Sequence, residues 1–169
     1  MRTAFLGTSP FAVAVLRRLA ASPHRPVLVV TRPDQPRGRG RLMSPPPVAV
    51  AARELGIALD QPASVNDDAA RRRIAEARPD MICVVAFGAL VREPLLTEHP
   101  IRNVHPSLLP RWRGAAPIER AIMAGDEVTG VSIIQMTAGL DSGPVCAQGR
   151  EPIRPEDTYD SLAARLAEL

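Results

Sequence analysis

Residues 101–117 read IRNVHPSLLPRWRGAAP. The first of them alternate in the manner of a strand end, and Pro106, Pro110 and Gly114 then stiffen the chain and turn it into a loop. Residues i and i+2 of a strand share a face, so Asn103 and His105 sit side by side. An amide beside an imidazole, at the point where a strand opens into a loop, can stabilise a developing oxyanion and move a proton. The plainer alternative is a histidine satisfied by a backbone carbonyl next to a turn-forming asparagine, and the pair alone does not decide between them.

Working outward, residues 81–86, MICVVA, read as the most deeply buried strand, followed by a loop over 87–90. Residues 3–6 form a short apolar run closed by Gly7-Thr8-Ser9-Pro10, which reads as a strand, a turn, a Ser cap and a proline at the first helical position. The helix is expected over 10–21, with Val13, Val15, Leu16, Leu19 and Ala20 on its inner face, and a second buried strand over 26–31. This opening resembles the first unit of a dinucleotide-binding fold but lacks Gly-x-Gly-x-x-Gly, so nothing supports a nicotinamide cofactor. Residues 32–47, RPDQPRGRGRLMSPPP, are expected to be an exposed, mobile loop without regular structure.

A helix is expected over 48–55, ended by Gly56, then a short strand over 57–59 and a helix capped by Asn66 or Asp67 and running to 77. Arg71, Arg72 and Arg73 of that helix read as a solvated face. A helix over 116–124, a strand over 128–136, a loop over 137–144 and a returning strand over 145–148 follow, and a last helix runs from 156 to 169. The fold class is therefore α/β: a Rossmann-like, mostly parallel sheet with helices on both faces and an antiparallel edge hairpin. Ligands of such sheets bind outside the carboxyl ends of the strands, here the 86–90 loop and the 103–110 segment.

Composition narrows the function. The chain has 169 residues, room for one domain, and 46% hydrophobic residues, enough for a core. Its 21 basic and 18 acidic residues leave +3, and every basic residue is Arg. A G+C-rich genome accounts for that choice, although the guanidinium fork also suits phosphate. Cys83 and Cys146 lie far apart within apolar stretches without metal-ligand spacing and read as small buried hydrophobes, so no metal site and a reducing compartment are expected. No signal peptide and no membrane-spanning run is read, which points to a cytoplasmic protein without a membrane partner.

Asn-Val-His-Pro-Ser-Leu-Leu-Pro, residues 103–110, resembles the catalytic segment of the folate-dependent formyltransferases, and RWRGAAPI, residues 111–118, resembles the methionyl-tRNA formyltransferase branch of that family. The resemblance implies the formyltransferase fold, a 10-formyltetrahydrofolate donor, an initiator methionyl-tRNA acceptor and a monomer that needs no metal. It implies Asn103, His105 and Asp141 as catalytic residues, the last from Gly-Leu-Asp-x-Gly at 139–143. By the same resemblance Phe87, Gly88 and Leu90 wall the pterin pocket, and Ser107, Leu108, Leu109 and Pro110 touch the donor. The basic loop matches PDxPxGRGxx and implies tRNA contacts by Arg37, Arg39 and Arg41, with Leu42 where relatives often carry another basic residue. Residues 1–169 are then expected to be a catalytic domain, incomplete at its C-terminal end and without the C-terminal tRNA-binding barrel of that branch. Two alternatives stand beside this reading: a related formyltransferase acting on glycinamide ribonucleotide or an amino sugar nucleotide, and an inactive folate- or RNA-binding remnant.

Overall fold

A computed structural model describes residues 1–38 and 41–169, with the backbone alone at Arg37. It divides the chain into two units, Met1–Ile101 and Arg102–Leu169. The first unit runs β1 (Thr3–Gly7), α1 (Pro10–Ala20), β2 (Pro26–Val30), β3 (Gln35–Arg37), β4 (Leu42–Ser44), α2 (Pro47–Glu54), β5 (Ala58–Asp60), α3 (Asp68–Ala77), β6 (Met81–Val85) and α4 (Leu95–Glu98). β1 pairs in parallel with both β2 and β6, and β2 with β5.

Every residue of β1 is buried, as expected of a central strand in a parallel sheet. At Gly7 the helix that follows comes so close that a Cβ would lie 2.6 Å from the Phe5 ring and 2.9 Å from Ala12 Cβ. Ser9 caps α1 by accepting from the Ala12 N–H, and Pro10 opens the helix. The buried positions of α1 are Phe11, Ala12, Leu16 and Ala20. Three of them follow the i, i+4 row that faces the sheet, whereas the expected Val13, Val15 and Leu19 are only half-buried.

Two expectations need correction in this unit. The 32–47 stretch contains regular structure: β3 and β4 pair antiparallel as Gln35↔Ser44, Pro36↔Met43 and Arg37↔Leu42. A two-stranded hairpin leaves one edge of each strand unpaired, so Pro36 costs it no ladder bond. Arg39 lies outside the described residues, as does the side chain of Arg37; Arg41 is exposed at the hairpin turn, its N–H donating to the Gly38 carbonyl. Nor is the arginine run wholly solvated. Arg71 reaches Glu98 of α4 with two nitrogens and Asp68 with a third, while Arg72 and Arg73 are exposed. The four-residue α4 was too short for its periodicity to show.

The second unit contains β7 (Ile101–His105), whose first residue closes the first unit, then α5 (Pro117–Met123), β8 (Val128–Gln135), β9 (Val145–Pro152) and α6 (Tyr159–Leu166). β8 pairs antiparallel with β7 and with β9, and α5 packs against α6. β9 extends four residues beyond the expected 145–148, because Gly149, Arg150, Glu151 and Pro152 carry no hydrophobic alternation yet pair with 128–131. α6 starts later than expected: Thr158 caps it in a reciprocal box with Ser161, and Asp157 is spent on Arg165. Within the first unit the strand order is β5-β2-β1-β6, all parallel; within the second it is β7-β8-β9, with β8 alone reversed; β3–β4 stands apart as its own small sheet. Among the described residues no helix is long and apolar enough to cross a membrane.

Candidate active site

β7 ends on Asn103 and His105, and the loop after β8 carries Asp141; the structure brings the three side chains together. Asn103 Nδ2 donates to Asp141 Oδ1 at 3.0 Å. Asp141 Oδ2 accepts from the Gly114 N–H at 2.9 Å and lies 3.5 Å from His105 Nδ1. His105 Nε2 lies 2.9 Å from the Trp112 carbonyl, and because a carbonyl only accepts, that bond requires the proton on Nε2. His105 and Asp141 are mostly withdrawn from solvent, with side chains 6% and 13% exposed. An amide nitrogen carries two protons, so Asn103 keeps a second N–H with no partner among the described residues.

Backbone strain concentrates here. Trp112, Ala116 and Asp141 all have positive φ, at 63°, 53° and 42°. Such conformations persist in non-glycine residues only where the surroundings impose them, and they gather at functional sites. The Gly-x-x-x-Gly frame around Asp141 has a steric cause at its second glycine: a Cβ on Gly143 would fall 1.8 Å from the Gln135 carbonyl oxygen.

The 107–110 segment is held by one hydroxyl. Ser132 Oγ donates to the Ser107 carbonyl at 2.6 Å and accepts from the Leu109 N–H at 3.0 Å and Gln148 Nε2 at 2.9 Å. Gln148 Nε2 also reaches the Leu109 carbonyl, and Ser107 Oγ is spent on the Arg111 carbonyl. Ser107 and Leu109 are therefore buried, Leu108 is half-buried and Pro110 is exposed. The sequence pattern of β8 hid Ser132, since a polar residue at a buried strand position is legible only once its partners are known.

In the first unit Phe87 and Leu90 line a cavity of about 310 Å³ together with Arg32, Val65, Asn66 and Arg92. Asn66 shapes its rim, donating to the Leu90 carbonyl and accepting from the Arg92 N–H, both at 2.8 Å. Asp67, not Asn66, stands at the α3 N-cap position, and its side chain makes no capping hydrogen bond. Gly88 sits beside the cavity at φ 73°, near the Arg32 side chain. Burial pushes the Cys83 thiol up to about 12, the behaviour of an inert core thiol. Among the described residues no group of His, Cys, Asp and Glu could hold a metal ion.

The formyl transferase family profile matches residues 1–169. This chain belongs to the formyl transferase family. Within that family it is 50% identical over 171 residues to a methionyl-tRNA formyltransferase of Stenotrophomonas maltophilia, a match covering 100% of this chain and 55% of the relative. It is 47% identical to the methionyl-tRNA formyltransferase of Nitrosococcus oceani, over 98% of this chain and 52% of the relative. The chain thus spans about half the length of the curated relatives it matches. Among solved structures, glycinamide ribonucleotide transformylase 1 from Symbiobacterium toebii superimposes with a TM-score of 0.77 at 28% identity, over 99% of this chain and 81% of that one. Trp112 and Gly114 contact the candidate site directly and Asp126 reaches it through Trp112; the sequence marked Gly114 only as a loop glycine, Asp126 only as a helix stop, and Trp112 only within RWRG at 111–114.

Proposed function

We propose that this chain is the catalytic domain of an enzyme transferring a formyl group from 10-formyltetrahydrofolate to the α-amino group of initiator methionyl-tRNA in the cytoplasm. The observation that carries the reading is the Asn103–Asp141–His105 network, held in the second unit by the Gly114 N–H and the Trp112 carbonyl. The names of relatives at about half identity favour the tRNA acceptor over glycinamide ribonucleotide, which the more distant structural neighbour serves.

The chemistry follows from which protons are free. The amine nitrogen attacks the formyl carbon, a C–N bond forms, and charge collects on the formyl oxygen. The unpaired Asn103 N–H is the donor for that oxygen, and removing such a donor commonly costs about 100-fold or more in rate. The intermediate collapses by breaking the bond to the folate nitrogen, which leaves with a proton, while the incoming amine gives one up. His105 has its Nε2 proton committed to Trp112, so Nδ1, beside Asp141, is the atom that takes and returns a proton. Asp141 holds Asn103 in place and stabilises the ring when it is charged. The residues given to folate, Phe87, Gly88 and Leu90 in the first unit with Ser107, Leu108, Leu109 and Pro110 in the second, belong to the same proposal, as does tRNA contact by Arg37, Arg39 and Arg41.

The deciding experiment offers the purified protein 10-formyltetrahydrofolate with either methionyl-tRNA or glycinamide ribonucleotide. Formylated methionyl-tRNA, and no reaction with the ribonucleotide, is expected. The reverse preference, or no donor consumption with either, would overturn the reading.

A further inference from the structure

We propose that Asp126 is a positioning residue: its carboxylate holds Trp112 in the one conformation that lets the Trp112 carbonyl fix the His105 ring. Asp126 follows the end of α5, anchored by its own N–H to the Ala121 carbonyl at 3.1 Å. Its side chain accepts three hydrogen bonds. The Trp112 indole Nε1–H reaches Oδ2 at 2.7 Å, Arg111 Nε reaches the same oxygen at 2.8 Å, and Arg111 Nη2 reaches Oδ1 at 2.7 Å.

That one carboxylate therefore fixes the edge of the indole and also the guanidinium that lies over it, since the Arg111 carbon stands 4.2 Å from the Trp112 ring centroid. Arg120 of α5 lies within cation–π reach of the same ring at 4.8 Å and is tied in turn to the Arg113 carbonyl at 3.0 Å. Trp112 needs this restraint. A tryptophan at φ 63° is in a conformation its own sterics disfavour, and without outside anchors it would leave it. Were it to relax, its carbonyl would turn away from His105 Nε2, the ring would lose the bond that selects its tautomer, and Nδ1 would no longer face Asp141. Asp126 makes no hydrogen bond or ion pair with Asn103, His105 or Asp141, so its effect on them is indirect.

The geometry stands on these hydrogen bonds, and only its consequence for rate rests on the formyl-transfer reading, so the test reads both. Nitrogen-15 NMR of the three histidine rings, with His105 assigned by loss of its signal in His105→Gln, reports the tautomer directly. Wild type is expected to show a single His105 state protonated at Nε2. Asp126→Ala, and separately Trp112→Phe, which keeps an aromatic ring but removes the indole N–H, are expected to give averaged nitrogen signals. The transfer assay is expected to show kcat lower by roughly 10- to 100-fold with KM nearly unchanged, and Asp126→Asn is expected to retain part of both. Asp157→Asn, a charge loss elsewhere in the same unit, should leave the His105 signals as they were. A folded Asp126→Ala or Trp112→Phe with wild-type His105 signals overturns the proposal, and so does an equal shift in Asp157→Asn. Moved signals with an unchanged rate would uphold the positioning role and fell the catalytic reading of His105.

Discussion

Asn103 and Asp141 are joined by one hydrogen bond, Nδ2 to Oδ1 at 3.0 Å, which ties the end of a strand to a loop 38 residues further along the chain. The bond does two things: it aims the amide, and it leaves the second amide proton unspent. Asp141→Asn tests it with little disturbance of the backbone, because asparagine, nearly the same shape as aspartate, tolerates φ 42° better than most non-glycine residues. The new side chain has one oxygen for two donors, Asn103 Nδ2 and the Gly114 N–H, and no charge beside His105. Formyl transfer is expected to fall about 100-fold or more, with the melting temperature changed by only a few degrees. Near-normal steady-state turnover in Asp141→Asn would remove Asp141 from the site.

What was legible in advance follows from what each element needs. β1, β2 and β6 are apolar but for Thr3 because both faces of a parallel sheet are covered, and they stand in the sequence as plain runs. The second half of β9 is a run of Gly, Arg, Glu and Pro that alternates between half-buried and exposed, and its pairing with β8 left no imprint on composition. The β3–β4 hairpin was hidden by its prolines, which argue against a strand unless one edge is free. In the candidate site, the shared face of Asn103 and His105 was legible from their spacing, whereas a role for them and for Asp141 came from the family pattern alone. Ser132 and Asp126 did not, because a single buried polar residue acquires meaning only from partners distant in sequence.

The two cysteines should separate cleanly by reactivity. Cys83 is buried in β6, as expected, with its thiol pushed up to about 12 by desolvation, whereas Cys146, expected from its apolar neighbours to be buried, is exposed on the edge strand β9. The thiolate is the reactive form, so Cys83 is doubly protected at neutral pH. Titration with a chromogenic disulfide reagent is expected to count one fast thiol in the native protein and two after denaturation. Cys146→Ser should abolish the fast phase, and a native count of two would contradict the packing of β6.

Acid should loosen the second unit through Asp157. The Arg165 guanidinium first of all, with the Arg154 N–H and Ser161 hydroxyl after it, holds the Asp157 carboxyl well below the usual carboxylate range near 4. A depressed folded-state pKa means that the stabilisation is fully present above the unfolded value and is lost as pH falls below about 4. Asp157→Asn is therefore expected to be less stable than wild type at pH 7 and to approach it as the pH drops toward 2. Urea midpoints measured across that range check the sign. A gap between the two proteins that stays constant with pH would mean that the Arg165 contacts stabilise through packing and not through the charge.

Gly143 closes the loop that carries Asp141, and its lack of a side chain is a matter of space. A Cβ there would meet the Gln135 carbonyl oxygen at 1.8 Å, and that oxygen belongs to the backbone of β8, which cannot step aside as a flexible side chain could. The loop must shift instead, and with it the bond from the Gln135 N–H to the Pro144 carbonyl, at 2.9 Å, that seals its base. Gly143→Ala is expected to cost about 1–3 kcal/mol of stability, the usual range for overpacking. Because Asp141 lies two residues away, a displacement of roughly 1 Å should also lower formyl transfer about 100-fold even below the melting transition. Ser142→Ala, between the two in sequence, adds no atom and should leave both quantities within a small factor of wild type. Thermal melts paired with initial rates distinguish the cases: a Gly143→Ala protein that loses stability but keeps its rate would show that the loop absorbs the extra methyl without moving Asp141.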